Sequence, residues 1–181
     1  MTDIKIAIIQ HLSALIGAEL SACHRAADMM MLQFGTLSAV TSRTGATRKV
    51  GRWSLHVQCP WRIEVDSTLF TGRSDLWEPE EIPVKGFDWS EWDFEAGNLR
   101  DKKLAMLFGT SQDRRGASRD GDPRVVTSVE ADAFGGARIS MSAGCDLVLF
   151  PDGTRNEDWR LLTEGDTPAH FVISGGQWAS H

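Results

Sequence analysis

His56, Gln58, Arg62 and Glu64 share one parity of an alternating stretch, "WSLHVQCPWRIEV", residues 53–65. Trp53, Leu55, Val57, Cys59, Trp61, Ile63 and Val65 take the other parity. In an extended chain alternate side chains leave opposite faces, so one strand would display imidazole, amide, guanidinium and carboxylate in a row. With His170 opening a later strand, and with Asp158 beside Trp159 and Arg160, such a set could abstract a proton or hold a carboxylate ligand. This is one candidate site, for a small ligand or an enzymatic reaction. The plainer reading is a solvated sheet face whose cross-strand ion pairs contribute under about 1 kcal/mol each.

A second chemistry lies over 75–95. Asp75, Glu78, Glu80, Glu81, Asp88, Glu91, Asp93 and Glu95 stand against the single base Lys85, with Trp77, Phe87, Trp89, Trp92 and Phe94 interleaved. Aromatic anchors inside a charged rim suit protein recognition, and the sign of the rim favours a basic partner. Trp77, Glu78, Glu80, Glu81, Asp88, Trp89, Glu91 and Trp92 are the expected contact residues. A basic loop precedes this segment, with Arg43, Arg48, Lys49 and Arg52 inside 41–52. It either is solvated or docks on the acids.

Other chemistries find little support. His56 and Cys59 are spaced H-x-x-C, but residues three apart on a regular strand face opposite sides; Cys23, His24 and Cys145 do not complete a set. Cys59 falls on the apolar parity, where burial dulls a thiol. There is no G-x-S-x-G, no G-x-x-x-x-G-K-[ST] and no G-x-G-x-x-G. The expectation is therefore no catalytic residue, no metal and no cofactor. Nineteen basic residues against 25 acidic ones give a net charge of −6 over 181 residues, which disfavours phosphate-backbone binding.

The elements that must position these residues read as follows. Apolar spacing over 4–16 predicts a helix capped by Thr2 or Asp3 and ended by Gly17. Residues 18–35 read as two short strands around "RAAD", with Met29, Met30 and Met31 as core filling. Pro60 cannot donate to a sheet ladder, so strand 53–65 is expected at a sheet edge or bulged there. An exposed edge of that kind could join copies of the chain into a homo-oligomer. "STLFTG" is a further short strand. Residues 75–110 form an ordered excursion ending in a short helix over 99–108 capped by Asn98. The Gly- and Ser-rich 109–123 reads as a mobile loop.

The C-terminal third reads as antiparallel strands: "RVVTSVEAD", two around Ala143-Gly144, "DWRLL" and "AHFVISG". "FGGAR" and "SGGQW" are turn glycines. Together these give an α+β fold, a single domain over 1–181, with a curved, mostly antiparallel sheet, an N-terminal helix and one further short helix. No apolar run approaches bilayer length, and the N-terminus lacks a basic signal-peptide region. With three scattered cysteines, this leads to an expected cytoplasmic location and no membrane partner.

"WSLHVQCPWRI", "SDLWEP", "ADAFGGARISMSAGCDLVLFPD" and "EDWRLL…HFVISG" resemble a group of small bacterial domains of unknown function, some similar to immunity proteins of polymorphic toxin systems. The resemblance covers the last two-thirds of the chain and transfers no catalytic residue. It implies a compact α+β domain, a bacterial cytosolic setting and a binding role.

Overall fold

The computed structural model describes residues 3–41, 45, 47–108, 116–118, 123–163 and 170–179. The fold is α+β, with antiparallel strands and two α-helices among the described residues. Helix α1 (Ile4–Leu12) starts where Asp3 accepts a hydrogen bond from Lys5 N, 2.9 Å away, satisfying one of the free N–H groups of the first turn. It is shorter than the expected 4–16: a 3-10 turn, Ser13–Leu15, follows, and Gly17 turns the chain away at φ +83°.

Residues 18–35 form the expected pair of strands, β1 (Leu20–Ala26) and β2 (Met29–Phe34), with Ala26 opposite Met29. The stretch expected to be a polar loop, 41–52, is partly strand. β3 (Ser38–Thr41) pairs with β4 (Thr47–Val50) as a separate two-stranded ribbon.

The decisive feature is that 53–65 is two strands in two different sheets. β5 (Trp53–Val57) and β6 (Trp61–Val65) are separated by Gln58, Cys59 and Pro60. At the bend, Gln58 N and Cys59 N both donate to the Asp158 carbonyl, at 2.8 and 2.9 Å, and Phe150 N donates to Pro60 O at 3.0 Å. Proline sits where the ladder is already interrupted, so its missing N–H leaves no acceptor unpaired.

β7 (Thr68–Gly72) follows β6 through Asp66 and Ser67, both at positive φ (49° and 61°). This is the double left-handed geometry of a type I′ hairpin turn. A 3-10 turn, Arg73–Trp77, and helix α2 (Leu99–Phe108) bracket an irregular stretch, 78–98. Asn98 caps α2 as expected: its Oδ1 accepts from Asp101 N at 2.9 Å. Of the segment expected to be a mobile loop, 109–115 and 119–122 lie outside the described residues. Gly116–Ser118 is instead a strand, β8, paired with β1.

The remaining strands are β9 (Val126–Ala131), β10 (Ala137–Met141), β11 (Cys145–Leu149), β12 (Glu157–Thr163), β13 (His170–Ser174) and β14 (Gln177–Ala179). The glycine pair of "SGGQW" makes the β13–β14 turn, Gly175 and Gly176 at φ +57° and +68°. A side chain at Gly175 would also lie 2.5 Å from Thr154 O, so both conformation and space demand glycine there.

The larger sheet runs β14-β13-β12-β5-β2-β1-β8 and the second β7-β6-β11-β10-β9. β5 is flanked by β2 and β12, and β6 by β7 and β11. Neither lies at an edge, so of the two alternatives expected for Pro60 the edge fails, while the ladder is interrupted at 58–60, where the chain passes from one sheet to the other. With both ladders of 53–65 already occupied, the backbone there has no edge to offer a second copy of the chain.

One hydrophobic cluster joins the inner faces of both sheets, α1 and Leu104 of α2. Leu32, Leu55, Trp159, Leu161 and Ile173 enter from the larger sheet, and Trp61, Ile63, Ile139 and Leu147 from the smaller. No helix among the described residues is long and apolar enough to cross a membrane.

Candidate functional site

The bend at 58–60 decides the fate of the polar row. His56 lies on the larger sheet, in register with Met31 on one side and Arg160 on the other. Arg160 is paired with Glu157, and Glu157 also accepts from Gln58 Nε2 at 3.0 Å. Pairing with Arg160 holds the Glu157 carboxyl below its ordinary range, against the opposing effect of burial.

Arg62 and Glu64 belong to the smaller sheet. Arg62 Nε donates to Glu64 Oε1 at 2.6 Å, and Arg138 Nη1 donates to Glu64 Oε2 at 2.8 Å and to Asp146 at 2.7 Å. The two arginines, Arg138 first, hold the Glu64 carboxyl low. Arg62 also lies over the Phe150 ring, 5.5 Å from its centre. Arg62 and Arg138 line a shallow groove of about 290 Å³ with Glu130, Asp132 and Phe150. His170 is exposed on β13, in register with Leu162, which faces Ser54 rather than His56. The expected set of His56, Gln58, Arg62, Glu64 and His170 is thus divided between two sheets. Its charged members Arg62 and Glu64 are already neutralised by neighbours.

The acidic aromatic stretch, in contrast, is one segment of chain whose side chains are largely exposed. Its two ends are fastened to the body. Glu78 O accepts from Leu99 N at 2.8 Å, Asp75 accepts from Thr71 (2.9 Å) and Lys103 (3.3 Å), and Glu81 pairs with Lys102. At the far end Glu95 takes both terminal nitrogens of Arg25, at 3.0 and 3.2 Å. Arg25 Nε donates to Asp101 at 2.8 Å, and the same guanidinium lies 5.4 Å from the centre of the Phe94 ring. Arg25 and Asn98 are buried. The segment therefore docks on β1 and α2. Glu81 pairs with Lys102 and Glu95 with Arg25, while Arg52 of the basic stretch stacks on Trp53, 4.7 Å from its ring centre. Arg43 lies outside the described residues.

Between these fastenings the apolar side chains face outward. Trp77 is 51% exposed, Ile82 91%, Val84 76% and Trp89 55%. Trp77 packs edge-on against Phe94 at 4.9 Å, and Trp89 against both Phe87 (5.0 Å, 72°) and Trp92 (6.0 Å, 83°). Asp88 fixes the turn beneath Trp89: its Oδ1 accepts from Ser90 N at 2.9 Å and from the Ser90 hydroxyl at 2.6 Å. Those bonds keep the Asp88 carboxyl below its ordinary range and charged. Glu78, Glu80, Asp88 and Glu91 are exposed, and among the described residues no basic side chain pairs with them.

Phe87 and Phe94 pack against the tryptophans of this segment and Arg25, Glu95 and Asp101 fasten it, and none of the five was among the expected contact residues. The signal for the first two and Glu95 was present in the repeated aromatic–acid steps Phe87-Asp88 and Phe94-Glu95. Nothing local in the sequence connects Arg25 to a segment 70 residues away.

The cysteines are free and buried. Burial pushes the Cys59 thiol up to about 12 and the Cys145 thiol up to about 11, opposite to the shift a nucleophile needs. Among the described residues no group of three or more His, Cys, Asp or Glu lies together in an arrangement able to hold a metal ion. No protein-family model matches the chain, and comparison with curated proteins and with solved structures yields no match.

Proposed function

We propose that this chain is a non-catalytic binding protein that engages a basic protein partner through the acidic, aromatic surface of 77–92. The observation that carries the reading is the outward placement of Trp77, Ile82, Val84 and Trp89 in a segment where Glu78, Glu80, Asp88 and Glu91 are exposed and, among the described residues, pair with no basic side chain. Water penalises such large apolar groups, and several of them exposed within one short acidic segment support a recognition surface. Trp77 and Trp89 supply the anchors. Glu78, Glu80, Glu81, Asp88 and Glu91 supply the field that accelerates encounter. The sharper form of the proposal is an immunity-like role in a bacterial cytosol, in which this surface occludes a basic toxin. A site on the polar row is not carried forward, because its members stand on different sheets.

The test is kinetic. With an identified partner, replacing Glu78, Glu80, Glu81 and Glu91 by Gln and Asp88 by Asn should slow association about tenfold or more at low salt, with the difference shrinking as salt is added. An unchanged association rate removes the proposal.

A further inference from the structure

The same segment holds one arginine already, and its composition provides for a second. Arg25 lies against the Phe94 ring with Glu95 bound to both of its terminal nitrogens and Asp101 bound to Nε. Seven residues earlier the elements of that site recur, with no arginine over these rings among the described residues. Phe87 is followed by Asp88, Trp89 stands nearly perpendicular to both Phe87 and Trp92, and Glu91 lies between the two tryptophans in sequence. We propose that Phe87, Trp89 and Trp92, with Asp88 and Glu91, form a recognition site for an arginine side chain presented by the partner.

Three physical arguments carry this. Perpendicular rings whose centres lie 5.0 and 6.0 Å apart present electron-rich faces at a corner, which is the arrangement that attracts a cation within about 6 Å of the ring centres. The charge is right, because Asp88 and Glu91 are sequence neighbours of these rings and exposed, and Trp89 is half exposed, so an incoming cation can reach them. The guanidinium is favoured over an ammonium because it is planar, weakly hydrated and able to stack and to bind a carboxylate through two nitrogens at once. Elsewhere the chain places arginine over aromatic rings in this manner: Arg25 on Phe94, Arg52 on Trp53, Arg62 on Phe150 and Arg100 on Trp61.

The inference rests on the proposed function and is tested separately from it. The 181-residue chain is titrated with acetyl-Gly-Arg-Gly-amide, with its citrulline counterpart, and with decalysine, while the indole N–H signals of Trp89 and Trp92 are followed by NMR. The arginine peptide should shift both signals saturably with a Kd in the millimolar range, and citrulline should bind about tenfold more weakly. Trp89→Ala should abolish the shift of Trp92, and Asp88→Asn with Glu91→Gln should weaken binding about three- to tenfold. Equal binding of arginine and citrulline peptides, or undiminished binding by Trp89→Ala, overturns the arginine site. If decalysine still binds in a salt-dependent way while the arginine peptide leaves Trp89 unmoved, the acidic surface stands and this site falls. If neither binds, both fall.

Discussion

Arg25 and Glu95 form a two-pronged ion pair, Nη1 to Oε1 at 3.0 Å and Nη2 to Oε2 at 3.2 Å, between strand β1 and the end of the acidic segment. Because the arginine side chain is almost wholly enclosed, at 4% exposure, its partners are worth more than a surface contact, and loss of one leaves charge unbalanced in a poorly solvated place. Asp101 remains as a second partner, which moderates the loss. Glu95→Ala is expected to cost about 2–3 kcal/mol, roughly 5 °C or more in Tm for a chain of this size. It should also reduce the near-ultraviolet dichroism of the Trp77–Phe94 pair. A thermogram and spectrum indistinguishable from wild type would show that the segment is not held by this clamp.

The Glu64 network gives an acid-limb prediction. Arg138 and Arg62 depress the Glu64 carboxyl in the folded state, so its contribution is complete above the ordinary carboxyl value, about 4.3. It is lost as pH falls through the lower folded value. Glu64→Gln should therefore lower stability by about 1 kcal/mol at pH 7. The gap from wild type should close below about pH 4. Urea midpoints at pH 7, 5 and 3 measure it. A gap that persists undiminished at pH 3 would assign the effect to packing rather than charge.

The cysteines should be silent in the native state. Burial raises the Cys59 and Cys145 thiols to about 12 and about 11, and Cys23 is also buried. Ellman's reagent at pH 8 should react only as fast as the protein opens, and all three thiols should react at once in guanidinium. A rapid native-state burst of one equivalent would place a thiol at the surface.

How far the sequence reveals this fold is clearest at 53–65. The alternation there is real: Leu55, Val57, Cys59, Trp61 and Ile63 are all buried. It carries no mark of the sheet change at 58–60, because both sheets turn their apolar faces toward one core and the parity runs on through the bend. Pro60 was the visible cue, and it signalled a ladder interruption rather than an edge. The hairpin turns were legible because left-handed residues announce them, as at Gly144 and Gly175-Gly176. Strands 47–50 and 177–179 were not, being short and, in the first case, entirely polar but for Val50. For the candidate surface, the acids and tryptophans were legible by composition. The buried arginine that fastens them comes from a strand far away in sequence, a relationship that only the fold creates.

Asp158 offers the sharpest test of how the sheet-to-sheet bend is held. It is 4% exposed, and its Oδ2 accepts from Gly176 N at 2.9 Å while its backbone carbonyl takes Gln58 N and Cys59 N. Burial raises its carboxyl above the ordinary value, partly opposed by the backbone donors. A carboxyl raised in this way binds its proton more tightly folded than unfolded. Stability therefore falls as pH rises from the ordinary value of about 3.9 through the folded one, and the cost is complete above that. Asn at this position keeps an oxygen acceptor for Gly176 and removes the charge, so Asp158→Asn should equal or exceed wild type in stability at pH 7. That advantage should disappear near pH 3, where Asp158 is itself neutral. Asp158→Ala leaves Gly176 N–H buried without an acceptor and should cost about 1–3 kcal/mol at every pH. Denaturant titrations of the two variants at pH 3 and pH 7 separate the hydrogen bond from the charge. If Asn proves as damaging as Ala at pH 7, the ionised carboxylate itself, and not merely its oxygen, holds the β13–β14 turn against the bend.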